Sequence, residues 1–419
     1  MNPLFLLGTV CVLAMCSAAA ESAAPLPPRL TIKAVKHNYR NAPIFVTLPD
    51  EIASKYRDTD ALFLDDGSGQ FVACQYVAGS AQLQTSASLV FILPELKQGK
   101  ERTFTLKKGK IGRPVVRIEL ATNAVDVRID NRLFTRYITD PEAKKPYFFP
   151  ILNPDGSHYT RRFPLDKTST ESDDHLHHKG LWFTHGDVNG SDFWMEESNG
   201  AKTVTKTVKM ITPVGYVFGE FRATTDWVSK EGKVLATDTR QIKIVPLPNG
   251  NCLLDFRITI KPVGNPVTLG DTKEGTFALR VAETLAPKPD ASANIKTPTA
   301  KMINNNGEMG GEAWGKKASW VDYSGQLGNA PYGIAMFDAP DNLRHPTTWH
   351  AREYGLFAVN PFGLHDFKLG DKGAGNHVIA MGESLTLHYA VFFHKGDTIA
   401  ADVAGQYTAF AEPPQMRIR

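Results

Sequence analysis

Apolar and polar side chains alternate with a period of two along most of this 419-residue chain. Residues 116–120 alternate in this way, and residues 125–129 repeat the pattern after a short turn. Residues 241–245 and 254–260 form a second such pair around a turn rich in Pro, Asn and Gly. Because a period of two puts successive side chains on opposite faces of a strand, each pair predicts an antiparallel hairpin with one buried face.

Strands dominate the rest of the chain as well. The 34 glycines and 27 prolines supply turns between short apolar runs. Further strands are predicted at 204–210, 217–227, 277–282, 333–337, 355–359 and 385–393. The best short helix candidate is 49–56, and no fixed repeat period supports a propeller or a solenoid. The sequence therefore predicts an all-β, mostly antiparallel protein.

The strands divide into two predicted units. Residues 30–110 form a small N-terminal β-sandwich domain that ends in the basic stretch 107–110. Residues 111–411 form the larger domain, whose long loops at 139–174 and 288–314 are expected to carry function. The tail after Ala411 contains Pro413-Pro414 and is expected to be loose.

The N-terminal segment predicts a secreted or periplasmic protein. Residues 3–16 are apolar and are followed by small residues, which is typical of a signal peptide, here residues 1–20. Residues 13–16 also resemble a lipoprotein box, so a lipid anchor at Cys16 is the alternative. No later apolar run is long enough for a transmembrane span.

The net charge and the cysteine content limit which partners and which disulfides we expect. The formal net charge is +3 and no basic stripe interleaved with aromatics is present, so no nucleic acid partner is expected. After the signal only Cys74 and Cys252 remain. They could pair in an oxidising compartment, but we expect two unrelated buried thiols. The sequence leaves the oligomeric state open.

Residues 173–194 have the composition of an active site, with four histidines, four aspartates and two tryptophans. Imidazole takes or gives a proton near neutral pH, and Trp182 and Trp194 offer flat apolar faces for a sugar ring. His177 and His178 are adjacent, so on an extended segment only one of them faces a pocket. A turn at 187–190 would leave Asp187 and Asn189 as caps or as ligand-binding groups.

Two later segments complete the candidate site. Trp349 and His350 repeat the pairing of aromatic ring and imidazole, and the guanidinium of Arg352 could hold a carboxylate or orient hydroxyls. Glu274 precedes a strand and could act as a general base, or it could form an ordinary salt bridge in a turn. These clusters either meet over one cleft or stand apart as surface loops.

Three of these segments occur in the same order in a known family. They are residues 177–190, residues 271–275, and residues 349–363, which include Asn360. On them, residues 111–400 resemble secreted bacterial proteins labelled "methane oxygenase PmoA", and more distantly the galactose-mutarotase-like supersandwich proteins. That resemblance implies a large antiparallel β-supersandwich in which imidazoles and a carboxylate act on a sugar. His178, His350 and Glu274 are the closest candidates for those roles.

The leading hypothesis is a secreted carbohydrate-active enzyme of the glycoside-cleaving, lyase or epimerase type, with acid–base chemistry and no cofactor. Its predicted catalytic residues are His178, His350, Glu274 and His185. Its predicted binding residues for a carbohydrate or other small molecule are His177, Trp182, Asp187, Asn189, Trp194, Trp349, Arg352 and Asn360. The alternatives are a non-catalytic glycan-binding protein and a metal-dependent enzyme, including an oxygenase, with His175, His177 or His178, and His185 as ligands.

Overall fold

The computed structural model describes residues 27–56, 62–81, 85–109, 112–166, 171–196, 200–289, 295 and 299–419. The predicted signal peptide and Cys16 lie outside these residues. Within them, no helix has the length and apolarity needed to cross a membrane.

Short strands make up most of the described chain. The first part contains β1 (Arg29–Lys33), β2 (Tyr39–Thr47), helix α1 (Asp50–Tyr56), β3 (Leu62–Asp65), β4 (Phe71–Val77), β5 (Ser88–Leu96) and β6 (Glu101–Lys108). The middle contains β7 (Val116–Ala121), β8 (Ala124–Ile129), β9 (Arg132–Ile138), β10 (Tyr147–Ile151), β11 (Leu181–His185), β12 (Lys202–Thr212), β13 (Val214–Gly215), β14 (Gly219–Val228), β15 (Val234–Pro246), β16 (Cys252–Pro262), β17 (Val267–Leu269) and β18 (Gly275–Arg280). The last part contains β19 (Lys301–Asn304), β20 (Lys317–Ala318), β21 (Trp320–Leu327), β22 (Ala330–Asp338), β23 (Thr347–Ala351), β24 (Leu356–Asn360), β25 (His377–Ile379), β26 (Leu385–Lys395), helix α2 (Val403–Ala411) and β27 (Gln415–Ile418).

Three large antiparallel sheets organise these strands. A ten-stranded sheet has the order β13-β7-β8-β9-β10-β11-β18-β24-β23-β20. An eight-stranded sheet has the order β12-β14-β15-β16-β26-β22-β21-β19, and its inner face packs against the ten-stranded sheet around the largest apolar core. A seven-stranded sheet, β2-β5-β4-β3-β6-β1-β27, surrounds a separate core. The predicted all-β sandwich class is confirmed.

Both predicted hairpins form. Ile118 pairs with Val127, and Val245 pairs with Leu253. The predicted helix is also present as α1, because Ile52, Ala53 and Tyr56 all face the core of the N-terminal unit.

The expectation of a loose C-terminal tail was wrong. The strand β27 pairs with β1, with Leu30 opposite Ile418. Met416 and Ile418 pack against the N-terminal core, whereas Gln415 is exposed. The reason is that β1 would otherwise present an unpaired edge, which a short strand of alternating character can cover. The chain therefore returns to its N-terminal unit after Ala411.

A third apolar cluster joins the N-terminal unit to the outer face of the eight-stranded sheet. It includes Val90 from β5 together with Phe218, Phe337 and Phe392. The Gln75 side-chain oxygen accepts hydrogen bonds from the backbone N–H groups of Val217 (2.9 Å) and Phe218 (3.3 Å).

The two cysteines occupy different cores. Cys74 belongs to the N-terminal core and Cys252 to the sandwich core, and both thiols are free. The prediction of two unrelated buried thiols is confirmed.

Candidate functional site

The outer face of the ten-stranded sheet carries most of the candidate residues. Pairing of the strands places Trp182, Ala278, Ala358 and His350 in one row across β11, β18, β24 and β23. Three strand spacings separate the ends of this row, or about 14 Å. The two alanines are fully buried between the tryptophan and the imidazole.

A column of four stacked rings stands on one side of this face. We call Trp182, His178, His175 and Tyr354 the ring column. Successive ring centroids are 5.5, 4.6 and 5.5 Å apart, with interplanar angles of 23°, 7° and 11°. His178 is 1% exposed, whereas the His175 side chain is 42% exposed. His175 is thus the imidazole of the column that reaches solvent.

Two buried arginines surround the carboxylate beside this column. Arg161 and Arg280 have fully buried side chains, and both form ion pairs with Asp174. Ser172 adds a hydrogen bond to the same carboxylate at 3.2 Å. Burial by itself would raise the pKa of Asp174, but the hydrogen bond from His175 and the two guanidinium charges hold that pKa well below its ordinary value. Asp174 is therefore an anion at neutral pH.

Asp174 also orients His175. Its Oδ2 accepts a close hydrogen bond from Nδ1 of His175. A proton held on Nδ1 leaves the lone pair on Nε2, which is the arrangement of an imidazole able to accept a proton from a ligand. His175 has a φ of 46°, a left-handed conformation that is uncommon for residues other than glycine.

His178 is a neutral ring. Burial is the main reason that its pKa lies well below the ordinary value, and the nearby His177 and Arg280 add to the effect. Nη1 of Arg280 lies 3.5 Å from Nδ1 of His178. Because a guanidinium can only donate, Nδ1 must carry the lone pair and Nε2 the proton. His178 supports the stack and has no solvent-facing atom for proton transfer.

A loop before β18 folds over the same face of the sheet. Asn360 Nδ2 donates to the carbonyl of Thr272 (2.9 Å), and His350 Nδ1 donates to the carbonyl of Lys273 (3.0 Å). Lys273 forms an ion pair with Glu274 at 3.1 Å, and the Glu274 side chain is 29% exposed. Burial raises the pKa of Tyr354, and the charge of Glu274 contributes to the rise. Tyr354 therefore keeps its phenolic proton at neutral pH.

Of the predicted residues, His178 and Trp182 belong to the ring column, and Arg352 contacts its Tyr354 end. His350 lies at the other end of the row from Trp182, next to the loop that carries Glu274. The guanidinium of Arg352 lies 5.6 Å from the ring centroid of Tyr354. Burial lowers the pKa of His350 to about 4, so this imidazole is neutral and anchors the loop through the carbonyl of Lys273.

The predicted tryptophan platform has no support in this arrangement. Trp349 lies inside the sandwich with no exposed surface, and its Nε1 donates to the carbonyl of Ala318 at 2.8 Å. Trp182 and Trp194 lie on the outer side but are only 1% and 0% exposed. The alternation along β23 explains the position of Trp349, because its neighbour His350 takes the outward direction.

Other predicted residues serve the local framework. His185 is fully buried and donates from Nε2 to the carbonyl of Gly270 at 2.8 Å. Asp187 accepts from the backbone N–H of Gly190. The Asn189 side chain donates to the carbonyl of Pro266 and accepts from the N–H of Thr268, which links its turn to β17. His177 is 4% exposed, and its ring meets that of His178 edge-on at 4.5 Å.

Among the described residues, no group of three or more His, Cys, Asp or Glu side chains could hold a metal ion. His185 does not join the stacked rings of His175 and His178, because its Nε2 is bonded to the loop before β18. The ligand set on which the metal-dependent alternative rested is therefore not assembled in this part of the chain.

Five residues of the site were not among the predicted catalytic or binding residues: His175, which was predicted only as a possible metal ligand, and Asp174, Arg161, Arg280 and Tyr354. A signal for Arg280 exists, since it is the one charged residue of strand β18 and shares the outward alternation of Ala278. Arg161 lies in a segment without periodicity, and nothing in the local sequence marks it as buried.

The comparisons with known proteins give one family and one structural likeness. A family model described as "Family of unknown function (DUF6807)" matches residues 124–408. This match does not show the resemblance to proteins labelled methane oxygenase PmoA. None of the curated proteins matches the sequence.

A protein in the glycosyl hydrolase family 38 from Enterococcus faecalis is similar in structure, with a TM-score of 0.43 and 11% sequence identity. The similarity covers 94% of this chain and 47% of that one, so this chain spans about half the length of that protein.

Proposed function

This chain belongs to the DUF6807 family, a family of unknown function, and we propose that it is an enzyme that transfers protons to and from a carbohydrate on the outer face of its ten-stranded sheet. This proposal rests on the hydrogen-bonded pair of Asp174 and His175. The carboxylate fixes Nδ1 of an imidazole that is 42% exposed, and two buried guanidinium groups keep that carboxylate charged. General acid–base catalysis by a positioned side chain of this kind typically contributes about 10²–10⁴-fold to a rate.

The groups around His175 suit a ligand with many hydroxyls. Glu274 and Asp174 accept hydrogen bonds, whereas Lys273 and Arg352 donate them. Acidic and basic groups are thus balanced, and a neutral hydroxylated ligand uses both kinds of partner.

In this mechanism His175 is the catalytic acid or base and Asp174 is its positioning residue. Glu274 is the second carboxylate, placed on the loop beyond Tyr354. His178 and Arg280 position the pair, since one stacks on His175 and the other holds Asp174. A neutral Tyr354 adds a hydroxyl donor at the edge of the site, because burial raises its pKa above the ordinary value.

The test follows the fate of carbohydrates without assuming the reaction. The protein is incubated in D₂O with a panel of oligosaccharides and uronate-containing oligosaccharides, and proton NMR monitors bond cleavage, new double bonds and deuterium incorporation at carbon. At least one member should be converted. His175→Gln should slow that conversion about 100-fold or more.

His37→Gln is the matched control, because His37 also pairs with a carboxylate, that of Glu412 at 3.1 Å, but lies in the N-terminal unit. Its rate should equal that of the wild type. Binding of a glycan without conversion would instead favour the non-catalytic alternative, and a panel that is neither bound nor converted would reject the proposal.

A further inference from the structure

A cavity of about 560 Å³ opens at one end of the sandwich. It is lined by the turn between β8 and β9 in the ten-stranded sheet and by the turn between β15 and β16 in the eight-stranded sheet. Small-molecule sites commonly measure about 300–1,000 Å³. The cavity shares no residue with the ring column or with the loop that holds Glu274.

Its inner wall is apolar and aromatic. Phe393 lies between Phe134 and Tyr159, with ring centroids 5.5 and 5.1 Å away. Leu247 is 7% exposed and closes the side formed by the eight-stranded sheet. A flat or compact apolar group fits a wall of this composition.

Two buried polar groups in this wall have no hydrogen-bond partner among the described residues. The Tyr159 hydroxyl belongs to a residue that is 1% exposed, and Nδ2 of Asn153 belongs to one that is 5% exposed. Oδ1 of Asn153 already accepts from the N–H groups of Asp155 (3.1 Å) and Ser157 (2.8 Å), which fixes the amide with its donor unused. Burial raises the pKa of Tyr159 well above its ordinary value, so the phenol keeps its proton. Both groups therefore offer N–H or O–H, and native proteins seldom leave such buried donors without an acceptor.

The mouth of the cavity carries one guanidinium, that of Arg132, which is not paired with a carboxylate of the described chain. Arg113 is balanced by Asp130 at 3.2 Å. Arg132 is exposed and donates to the carbonyl of Pro154 at 2.9 Å, and it forms no ion pair with a carboxylate of the described chain. An anionic group is thus attracted to this opening.

We propose that this cavity is a second binding site, for a compact apolar molecule that carries a carboxylate. The apolar body packs against Phe134 and Leu247, and the carboxylate oxygens accept hydrogen bonds from Tyr159 and Asn153. This site is independent of the proton-transfer site, because it lies at the end of the sandwich rather than on its outer face.

A matched pair of probes tests the chemistry. Titration of the full protein, followed by ligand-observed NMR, compares 2-naphthoate with 2-naphthylmethylammonium, which has a similar ring system and the opposite charge. The carboxylate should bind at least tenfold more tightly. Tyr159→Phe should weaken naphthoate at least fivefold and leave the weak binding of the ammonium probe unchanged. Equal affinity of the two probes would overturn the proposal.

A blocking substitution locates the binding. Leu133 is partly buried in the cavity wall, so Leu133→Trp should abolish naphthoate binding. Leu120→Trp, at an exposed position of β7, is the control and should bind as the wild type does. Melting temperatures identify any variant that fails to fold, and Tyr159→Phe then carries the test alone. Full binding by a folded Leu133→Trp would place the probe elsewhere and reject the site.

Discussion

The imidazoles of one short segment have three different environments. His175 reaches solvent and is held by a carboxylate, His178 is a neutral ring in the stack, and His185 is a fully buried donor to a backbone carbonyl. The sequence identified the segment because its composition is unusual. It could not rank the histidines, since the residues before β11 form no regular element and their directions depend on Arg161 and Arg280, which lie outside the segment.

The buried histidines should make stability depend on pH. Burial lowers the pKa of His185 to about 4 in the folded protein, whereas the ordinary value is 6.5. The unfolded chain therefore binds a proton that the folded chain does not, and the stabilisation present above pH 6.5 is lost as the pH falls towards 4. Between pH 7 and pH 5 this histidine should lower the free energy of unfolding by on the order of 2 kcal/mol.

Urea unfolding at both pH values provides the measurement. His185→Gln keeps an N–H for the carbonyl of Gly270 but does not titrate, so its pH-dependent loss should be smaller by that amount. His37→Gln, in which an exposed histidine is replaced, should retain the loss seen in the wild type. An identical loss in His185→Gln would show that His185 is not the titrating group.

At the scale of strands, the period-two pattern was a reliable guide because each strand has one face in a core. The hairpins β7–β8 and β15–β16 were predicted correctly, and Arg280 follows the same alternation. The pattern fails where a strand is very short or where burial comes from a distant partner. The four residues of β27 are too few to show a period-two pattern. They are ordered by pairing with β1, which lies almost 400 residues earlier in the chain.

The C-terminal strand should protect the edge of β1. Ile418 packs against the N-terminal core and Gln415 on the same strand is exposed. Ile418→Ser should therefore speed amide hydrogen exchange across Leu30–Lys33, because local opening requires less free energy when a packed side chain is lost. Gln415→Ser should leave these exchange rates as they are in the wild type. Hydrogen exchange read by mass spectrometry distinguishes the two, and equal rates in both variants would mean that β27 does not stabilise this edge.

At the scale of the whole molecule, the N-terminal unit is tied to the sandwich in two ways. An apolar cluster around Phe218, Phe337 and Phe392 joins their surfaces, and the chain crosses back through α2 and β27. Neither connection was predicted from the sequence, in which residues 30–110 form a self-contained run of strands. Inter-domain surfaces inside one chain are often small and polar, and domains then move independently. The apolar contact here predicts the opposite behaviour.

We therefore expect the protein to unfold in one cooperative thermal transition, with equal calorimetric and van't Hoff enthalpies. Gln75→Ala should separate the transitions, because it leaves the N–H groups of Val217 and Phe218 buried without an acceptor at the junction of the two units. The N-terminal unit should then melt first. Gln70→Ala, at an exposed position, is the control and should keep the single transition. Scanning calorimetry measures the number of transitions. Two resolved transitions in the wild-type protein would show that the apolar contact does not couple the units.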